Sequence, residues 1–341
     1  MERAPLQGLQ LRAARDADAD GLIRLVGEAY TEYAGCVLDL PGVDDDLPAP
    51  ATTAARRGGR WWVLETDDEV VGSIGTGAPD ADGTLELKRC YLDARWRGRG
   101  FATRLIRRVE DHAAALGATR IVLWSDTRFT AAHHRYQQLG YERTGETREL
   151  HDPSDTTEYR FVRAVPPATD PTPVRFAGPD GDDEVVARAL PDGSVLCGQV
   201  GQARYELEVD HAWRPRRAVL ALDREQRWQL SSDGQGRWWL DEDEATGLHG
   251  CTDVGLPITP AALQPVVRRM ALGAGQHGLA QLAVLAGPGQ PVTTQAVTWS
   301  RHSAYSYSRQ IGDDRTEVEV DRFGLPVRVG DRWRRTTPVD E

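Results

Sequence analysis

The hydrophobic pattern of the chain changes once, and that change divides the sequence in two. Before residue 165, segments with strand-like and helix-like spacing of apolar residues alternate, which predicts an α/β domain. After residue 186 most segments alternate with period two between turn residues, which is typical of an antiparallel sheet. Residues 166–185 are rich in Pro, Gly, Asp and Thr and show no apolar period. The pattern therefore predicts domains at 1–165 and 186–341 joined by a linker.

Charge and cysteine content narrow the class of protein. The net charge of −11 is shared by both halves, and this excess of acid argues against binding to a phosphate backbone. Cys36, Cys90, Cys197 and Cys251 are far apart, so we expect neither a disulfide framework nor a metal site. We find no apolar run long enough for a signal peptide or a transmembrane segment. We therefore expect a cytoplasmic protein that binds no nucleic acid.

One segment in the first half has the pattern of an anion-binding turn. Residues 86–102 read as the end of a strand, a basic glycine-rich turn and the start of a helix. Gly98 and Gly100 allow the backbone to approach a ligand closely, and a helix N-terminus attracts negative charge. The alternative is a tight turn whose arginines are simply solvated. The spacing of the glycines fits neither a Walker A loop nor a dinucleotide-binding fingerprint.

Two segments resemble the GNAT acetyltransferases. Residues 95–100 (RWRGRG) match the family signature Q/R-x-x-G-x-G/A between a strand and a helix, and residues 132–141 resemble its A-x-x-x-Y-x-x-L-G-F segment. The resemblance covers residues 9–164. It implies an α/β fold with a mixed, splayed central sheet flanked by helices. It also implies acetyl-CoA as cosubstrate and a small-molecule or peptide amine as acceptor.

The resemblance also implies where acetyl-CoA binds. Its pyrophosphate would lie on the backbone amides of the turn, which belong to Arg97, Gly98, Arg99, Gly100, Phe101 and Ala102. Its pantetheine arm would run along Cys90, Tyr91 and Leu92 like an added strand. The N–H of Cys90 would polarise the thioester carbonyl, and the amine would attack that carbonyl directly.

Two side chains are candidates for proton transfer. The resemblance makes Glu86 a general base and Tyr136 the group that protonates the leaving thiolate. Glu86 precedes Cys90 by two pleats of a strand, so we expect both on one face. The alternatives are a salt-bridged Glu86, with Lys88 as partner, and a Tyr136 that only packs in the core. Many family members have asparagine where this chain has Phe129.

Other polar groups favour ordinary structural roles. His133 and His134 are adjacent on a predicted helix and point about 100° apart, which makes them poor joint metal ligands. The run Asp44-Asp45-Asp46 could attract an amine, but we expect a solvated loop. We also expect turns near Asp67-Asp68 and Gly287-Pro288.

The second half offers many aromatic residues and little catalytic chemistry. The aromatic residues belong either to the core of a β domain or to an apolar concavity for a ligand: Tyr205, Trp213, Trp228, Trp238, Trp239, Trp299, Tyr305, Tyr307, Phe323 and Trp333. A helix is predicted near residues 259–270, with Thr259 as cap and Pro260 at its first position.

The second half resembles a bacterial family known as the putative glycolipid-binding family. The matching residues are Asp210, Trp213, Gly236, Trp238, Gly250, Cys251, Asp253, Thr259, Pro260, Arg268, Arg269, Gln295, Val320, Asp321, Gly324 and Leu325. The resemblance implies a mostly antiparallel β domain, a curved half-barrel sheet with a helical cover, and a glycolipid or other amphiphile as ligand.

Three hypotheses follow for the whole chain. The first is N-acetyl transfer to a primary amine, with a second domain that presents an amphiphile. The second is a non-catalytic acyl-CoA-binding protein coupled to a lipid-binding or scaffold module. The third is that the two halves have no mechanistic connection.

Overall fold

The computed structural model describes residues 9–40, 42–66, 69–166, 171–223, 225–287 and 290–338. The chain divides into two units, Met1–Ala168 and Thr169–Glu341. The turns predicted at Asp67-Asp68 and at Pro288 lie outside the described residues.

The described part of the first unit alternates strands and helices as the pattern predicts. Its elements are β1 (Gln10–Ala13), α1 (Ala19–Thr31), α2 (Pro50–Arg56), β2 (Arg60–Thr66), β3 (Glu69–Thr76), β4 (Thr84–Leu92), α3 (Phe101–Ala115), β5 (Arg120–Asp126), α4 (Thr130–Gln138), β6 (Glu142–Glu149) and β7 (Thr157–Ala164).

The strands of the first unit form one mixed sheet. Their order is β1-β2-β3-β4-β5-β7-β6, with β4 and β5 parallel and the other neighbours antiparallel. The amphipathic helix α3 buries Phe101, Leu105, Val109 and Ala113, the apolar face that its sequence predicts. The mixed α/β fold expected for this half is thus confirmed.

A splay in the centre of this sheet positions the site. Pairing between β4 and β5 ends at Leu87 and Leu123, so the last five residues of β4 separate from β5. On its other side β4 carries a bulge, because three steps from Lys88 to Tyr91 match two steps from Gly75 to Ser73. Arg89, inside the bulge, has a φ of 54°. The bulge and the splay together open a gap in the middle of the sheet.

The described part of the second unit forms one large sheet with a single α-helix. Its elements are β8 (Val174–Ala177), β9 (Asp183–Leu190), β10 (Gly193–Val200), β11 (Ala203–Asp210), β12 (Pro215–Ala221), β13 (Arg227–Ser232), β14 (Trp238–Leu240), β15 (Asp243–Glu244), β16 (Asp253–Gly255), α5 (Leu263–Met270), β17 (His277–Val284), β18 (Thr293–Arg301), β19 (Ser306–Ile311), β20 (Asp314–Val320), β21 (Pro326–Val329) and β22 (Trp333–Arg335).

The sheet of the second unit is mostly antiparallel, as predicted. The strand order runs from β15 down to β8, then β22 and on down to β16, and the pairing of β16 with β17 is parallel. Helix α5 packs its apolar residues Leu263, Val266 and Val267 into the core of this unit. The helix therefore covers the sheet.

The predicted linker is too long. Residues 174–177 and 183–190 form β8 and β9, which pair with each other, and β8 also pairs with β22. Phe176 is buried in the core, and Gly178 lies so close to Trp333 that an added Cβ would be 2.0 Å from its ring. The sequence pattern did not reveal β8, because the strand has only four residues and only one of them, Phe176, is buried. The Pro and Gly residues around it favoured the interpretation as a linker.

A buried polar network connects the segment before α5 to the sheet. The carboxylate of Asp183 is fully buried and accepts hydrogen bonds from the Tyr205 hydroxyl at 3.0 Å and the Thr259 hydroxyl at 2.5 Å. Thr259 also accepts the N–H of Ala261, two residues later, as an N-cap residue does, but the α-helix itself begins at Leu263, after a turn. The predicted helix start at Pro260 is therefore wrong by three residues, and Thr259 caps the turn that precedes the helix.

Burial of Asp183 makes the stability of the protein depend on pH. Burial raises the pKa of Asp183 to about 6, although the hydrogen bonds of Thr259 and Tyr205 act in the opposite direction. The folded state thus holds a proton that the unfolded state releases near pH 4. The contribution of Asp183 to stability is therefore greatest at acidic pH and falls as the pH rises towards 6, beyond which this residue is ionised in both states.

We predict that Asp183→Asn removes this pH dependence. Between pH 4.5 and pH 7.5 the wild-type protein should lose about 2 kcal/mol more unfolding free energy than the variant. Urea unfolding of the full chain, followed by tryptophan fluorescence at both pH values, measures the difference. Equal losses in the two proteins would show that Asp183 titrates normally.

Candidate active site

A cavity of about 360 Å³ occupies the gap in the first sheet. Its walls come from β4 and β5, the start of α3, α4, the α1–α2 connection and the β6–β7 connection. The cavity thus extends from the glycine-rich turn to the far ends of the two separated strands.

The glycine-rich turn leaves open space beside the start of α3. Gly98 and Gly100 have φ values of 73° and 85°, and a Cβ added to either would meet no atom within 4 Å. Helix α3 begins immediately afterwards, at Phe101. The first N–H groups of a helix have no partner within it, so this space suits an anion. The observation supports the anion-binding interpretation of the turn.

The arginines of the turn are held by the protein. Arg97 forms an ion pair with Glu32 at 2.6 Å and donates to the carbonyl of Leu92. Arg95 pairs with Asp93, and the guanidinium of Arg99 lies 5.4 Å from the centre of the Trp96 ring. These contacts shape the turn, so the backbone amides are the better candidates for anion contact.

Most of the predicted cofactor-binding residues line the cavity. They are Cys90, Tyr91, Leu92, Arg97, Gly98, Gly100, Phe101 and Ala102. Arg99 is not among the lining residues. Arg135 of α4 is an additional cation that lines the cavity, and no sequence pattern singled it out.

The partly exposed Cys90 and the buried Tyr136 form a hydrogen-bonded pair in the cavity wall. Burial raises the pKa of the Cys90 thiol to about 11, although its hydrogen bond with Tyr136 acts in the opposite direction. Burial also raises the pKa of Tyr136 well above 10, and the nearby Cys90 adds to the effect. Both groups are therefore protonated at neutral pH. This state makes Cys90 a poor nucleophile and Tyr136 an available proton donor.

The position of Tyr136 is compatible with both roles predicted for it. Its side chain is 6% exposed and packs against Tyr141 and Phe161, with ring centroids 5.8 and 5.9 Å away. The same residue lines the cavity. It is thus a core aromatic residue with access to a ligand.

Glu86 does not share a face with Cys90. The bulge at Arg89 inserts one residue between them. The alternation of side chains along β4 therefore shifts by one residue, and Cys90 points to the opposite face from Glu86. The Glu86 carboxylate lies 2.9 Å from Lys88 and 3.9 Å from Arg148, and Glu86 is not among the residues that line the cavity. The salt-bridged alternative therefore describes its surroundings.

Glu158 is a carboxylate in the cavity that the sequence did not reveal. It lies on β7 opposite Asp126, its side chain is 13% exposed, and Arg148 Nε donates to it at 2.5 Å. Burial raises the pKa of Glu158, while Arg148 acts in the opposite direction. One glutamate on a predicted strand carries no signal of its own, because its access to the cavity depends on the splay.

The acidic run in the α1–α2 connection is only partly solvated. Asp44 and Asp46 are 1% and 6% exposed and hold the guanidinium of Arg89 at 2.6 and 2.7 Å. Asp45 is exposed and pairs with Arg57 at 3.5 Å. The expectation of a solvated loop is wrong for Asp44 and Asp46, because the bulge in β4 presents the guanidinium of Arg89 to them.

Phe129 stands where many GNAT members have asparagine, and here it forms part of an aromatic cluster. Its ring centroid lies 4.6 Å from that of Tyr33 and 6.2 Å from that of Tyr30. All three residues line the cavity. The side chain at this position therefore offers an apolar surface and no hydrogen bond.

Sequence comparison agrees with this geometry. Residues 28–141 match the model of the Acetyltransferase (GNAT) family, and residues 189–335 match a family described as "Putative glycolipid-binding". The chain carries a GNAT domain followed by a domain of this second family.

Curated relatives match parts of the GNAT domain. N-acetylaspartate synthetase of Danio rerio is 35% identical over 99 residues, which are 29% of this chain and 35% of that protein. N-acetyltransferase 8 of Homo sapiens is 30% identical over 128 residues, which are 36% of this chain and 54% of that protein. The chain thus spans between a third and about half of the length of these relatives.

Among solved structures, an acetyltransferase from Streptococcus agalactiae is similar to this chain. It is 21% identical with a TM-score of 0.41, and the match covers 47% of this chain and all of that protein.

The described residues contain neither a metal-binding group nor a membrane-spanning helix. No three His, Cys, Asp or Glu side chains among them are grouped so that they could hold a metal ion. In the same residues, no helix is long and apolar enough to cross a membrane.

The residues that carry the resemblance in the second domain hold turns and ion pairs. Asp210 accepts the N–H groups of Ala212 and Arg214, and the buried Asp253 pairs with Arg269 at 2.5 Å. Most of the aromatic residues belong to the core, with exposures of 1–5%: Tyr205, Trp238, Trp239, Trp299, Tyr307 and Trp333. These positions favour a structural role over the lining of an open concavity.

We predict that acetyl-CoA stabilises the protein through the glycine-rich turn. At about 100 times its dissociation constant the ligand should add roughly 2.7 kcal/mol to the unfolding free energy. Gly100→Glu should abolish this effect because it places bulk and negative charge in the open space. Thermal melting with and without acetyl-CoA measures both.

Gly145→Glu is the matched control for this experiment. Gly145 has the same φ of 85° and open space around it, but it lies on β6 and is not among the residues that line the cavity. The two variants thus introduce the same charge and comparable backbone strain. If both lose the acetyl-CoA effect, or neither does, the turn is not the anion site.

Proposed function

We propose that the GNAT domain transfers the acetyl group of acetyl-CoA to a primary amine. The observation that carries this proposal is the continuity of the cavity. It joins the glycine-rich turn, the hydrogen-bonded pair Cys90 and Tyr136, and the carboxylate of Glu158. A cosubstrate anion, a thioester and an amine would each meet a suitable group along one path.

Acetyl-CoA would bind along the edge that the splay leaves on β4. The amides of residues 97–102 would hold the pyrophosphate, and Arg135 would add positive charge. The pantetheine arm would follow Cys90, Tyr91 and Leu92 in place of the missing partner strand. The Cys90 N–H would then donate to the thioester carbonyl as negative charge develops there.

Transfer would proceed by direct attack of the amine. The nitrogen lone pair forms a C–N bond with the thioester carbon, the C–S bond breaks, and the electron pair leaves with sulfur. Tyr136 gives its proton to the thiolate, and a carboxylate takes the proton released by the nitrogen. The high pKa of Cys90 argues against an acetyl-cysteine intermediate.

We assign the proton acceptor to Glu158 and give Glu86 a supporting position. Arg148 lies between the two carboxylates, 2.5 Å from Glu158 and 3.9 Å from Glu86. Glu158 lines the cavity, whereas Glu86 does not. A raised carboxylate pKa also makes Glu158 a stronger base than an exposed glutamate.

We predict that Tyr136→Phe and Glu158→Gln each slow acetyl transfer by about 100- to 10,000-fold while acetyl-CoA affinity is retained. Phenylalanine keeps the packing of the Tyr136 ring. The wild-type rate should fall as the pH is lowered through the raised pKa of Glu158, and Glu158→Gln should lack this limb. Release of free thiol, with a panel of amines at several pH values, measures these rates.

Glu86→Gln is the matched variant for the base. It removes one carboxylate next to Arg148 but leaves Glu158 in the cavity, so we expect a smaller loss. A larger loss than in Glu158→Gln would reassign the base to Glu86. If Tyr136→Phe transfers acetyl groups at the wild-type rate, Tyr136 contributes only packing.

The main rival is a protein that binds acyl-CoA without catalysis. Phe129 favours it, because an apolar residue replaces a hydrogen-bonding one beside the pantetheine path. The two functions separate in one experiment. Stabilisation by acetyl-CoA without thiol release for any amine would support the rival.

For the second domain we propose an amphiphile as ligand, on the basis of its family. Tyr305 and Phe323 are each 55% exposed. The carbonyl of Tyr305 accepts the N–H of Val320, three residues before Phe323, which brings the two segments together. These side chains offer an apolar contact on a domain whose other large aromatic residues are mostly buried.

We predict that lipid co-purifies with the full chain from a bacterial host. Native mass spectrometry should detect the added mass, and replacing Tyr305 and Phe323 by serine should reduce it. Leu222→Ser is the control, because Leu222 is a 37% exposed apolar residue in the connection after β12. If no lipid is found, or if all variants retain it equally, the exposed pair is not the lipid contact.

A further inference from the structure

We call one part of the cavity the acceptor end. It is formed by the α1–α2 connection, the bulge of β4, the end of β5 and the β6–β7 connection. The charge of this region bears on the choice of amine, an inference that rests on the proposed function. Asp126, Asp152 and Glu158 line it, as do Lys88 and Arg89. The surplus of carboxylates suggests a preference in the charge of the acceptor.

The two lining cations are already engaged by the protein. Lys88 pairs with Glu86 at 2.9 Å. Arg89 pairs with Asp44 and Asp46 and also donates to the carbonyl of Val43. A substrate carboxylate would therefore have to compete with these partners for a cation.

One lining carboxylate, that of Asp152, is hydrogen-bonded by neutral donors, while Arg128, which forms an ion pair with Asp126, also interacts with it electrostatically. Asp152 accepts the N–H of Thr156 at 2.7 Å and its hydroxyl at 2.8 Å. These bonds orient the carboxylate without neutralising it. Asp152 can therefore attract a cation.

The charged residues that line the acceptor end, together with the groups paired with them, carry a net charge of −2. The set has six carboxylates and four cations, namely Asp44, Asp46, Glu86, Asp126, Asp152 and Glu158 with Lys88, Arg89, Arg128 and Arg148. A site of one sign attracts ligands of the other sign and repels those of its own. The acceptor end thus favours an ammonium group and disfavours a carboxylate.

Aromatic surfaces border the same region. Tyr30, Tyr33 and Phe129 form the cluster described above, and Trp124 lines the cavity beneath the guanidinium of Arg148, 4.6 Å away. Aromatic faces contact flat apolar groups well and also attract cations. Charge and surface therefore point to the same kind of molecule.

We propose that the acceptor is an aromatic or similarly apolar primary amine that carries no carboxylate. Tyramine, phenethylamine and tryptamine are probes of this class. Aspartate, the acceptor implied by the printed name of the relatives called N-acetylaspartate synthetase, belongs to the opposite class.

The test compares amines with the amino acids from which they differ by one carboxylate. For the full chain with acetyl-CoA, kcat/KM for tyramine should exceed that for tyrosine by about tenfold or more, and likewise for tryptamine and tryptophan. Thiol release measures turnover. Melting of the CoA-saturated protein with tyramine or tyrosine measures binding independently of turnover, and only tyramine should stabilise it.

Two variants separate the contributions of charge and surface. Asp152→Asn should lower the tyramine-to-tyrosine ratio about threefold or more. Asp45→Asn is its control, because Asp45 is an exposed carboxylate that does not line the cavity, and the ratio should not change. Phe129→Asn should lower kcat/KM for tyramine about three- to tenfold relative to a small aliphatic amine.

The outcomes distinguish this proposal from the transferase proposal. Stabilisation by acetyl-CoA together with a preference for tyrosine or aspartate over tyramine, in turnover or in binding, overturns the amine class alone. Equal effects of Asp152→Asn and Asp45→Asn also overturn it. Loss of the acetyl-CoA effect itself would contradict the transferase.

Discussion

Strands β4 and β5 pair through only four residue pairs, and the candidate site depends on where that pairing stops. Leu85, Leu87, Ile121 and Leu123 are buried and fix the paired half in the core. Beyond them, the β5 side of residues 88–92 has no partner strand among the described residues. Backbone polar groups in a protein interior need hydrogen-bonding partners. The interrupted sheet therefore creates a linear row of donors and acceptors that an extended ligand can satisfy.

The bulge in β4 is stabilised from outside the sheet. Arg89 adopts a positive φ, which is uncommon for a residue with a side chain. Its guanidinium is held by Asp44 and Asp46, two buried carboxylates of the α1–α2 connection. Breaking such a buried pair from one side is strongly destabilising because it leaves an uncompensated charge. One interaction thus fixes the backbone beside the cofactor path and also places the loop that borders the acceptor end.

The sequence predicted the parts of the molecule whose signals are local. The alternation of elements, the apolar face of α3 and the turn at Gly98 and Gly100 all depend on neighbouring residues, and they were found. The bulge was not predicted, because it is defined by register against β3. Without the bulge, regular alternation predicted that Glu86 and Cys90 share a face, and nothing indicated that Glu158 lines the cavity. The same limit explains β8, whose identity as a strand depends on its pairing with β22 at the other end of the chain.

The bulge also affects how readily this strand edge could pair with another chain. An unpaired strand edge is a template on which other chains can add strands, and proteins protect such edges with bulges, charges or cover. Here the edge lies inside the sheet, and its shape is irregular at Arg89, so a regular strand from another molecule would not match its hydrogen-bonding pattern. The distortion beside the proposed cosubstrate path thus also makes this edge a poor template for a strand of another molecule.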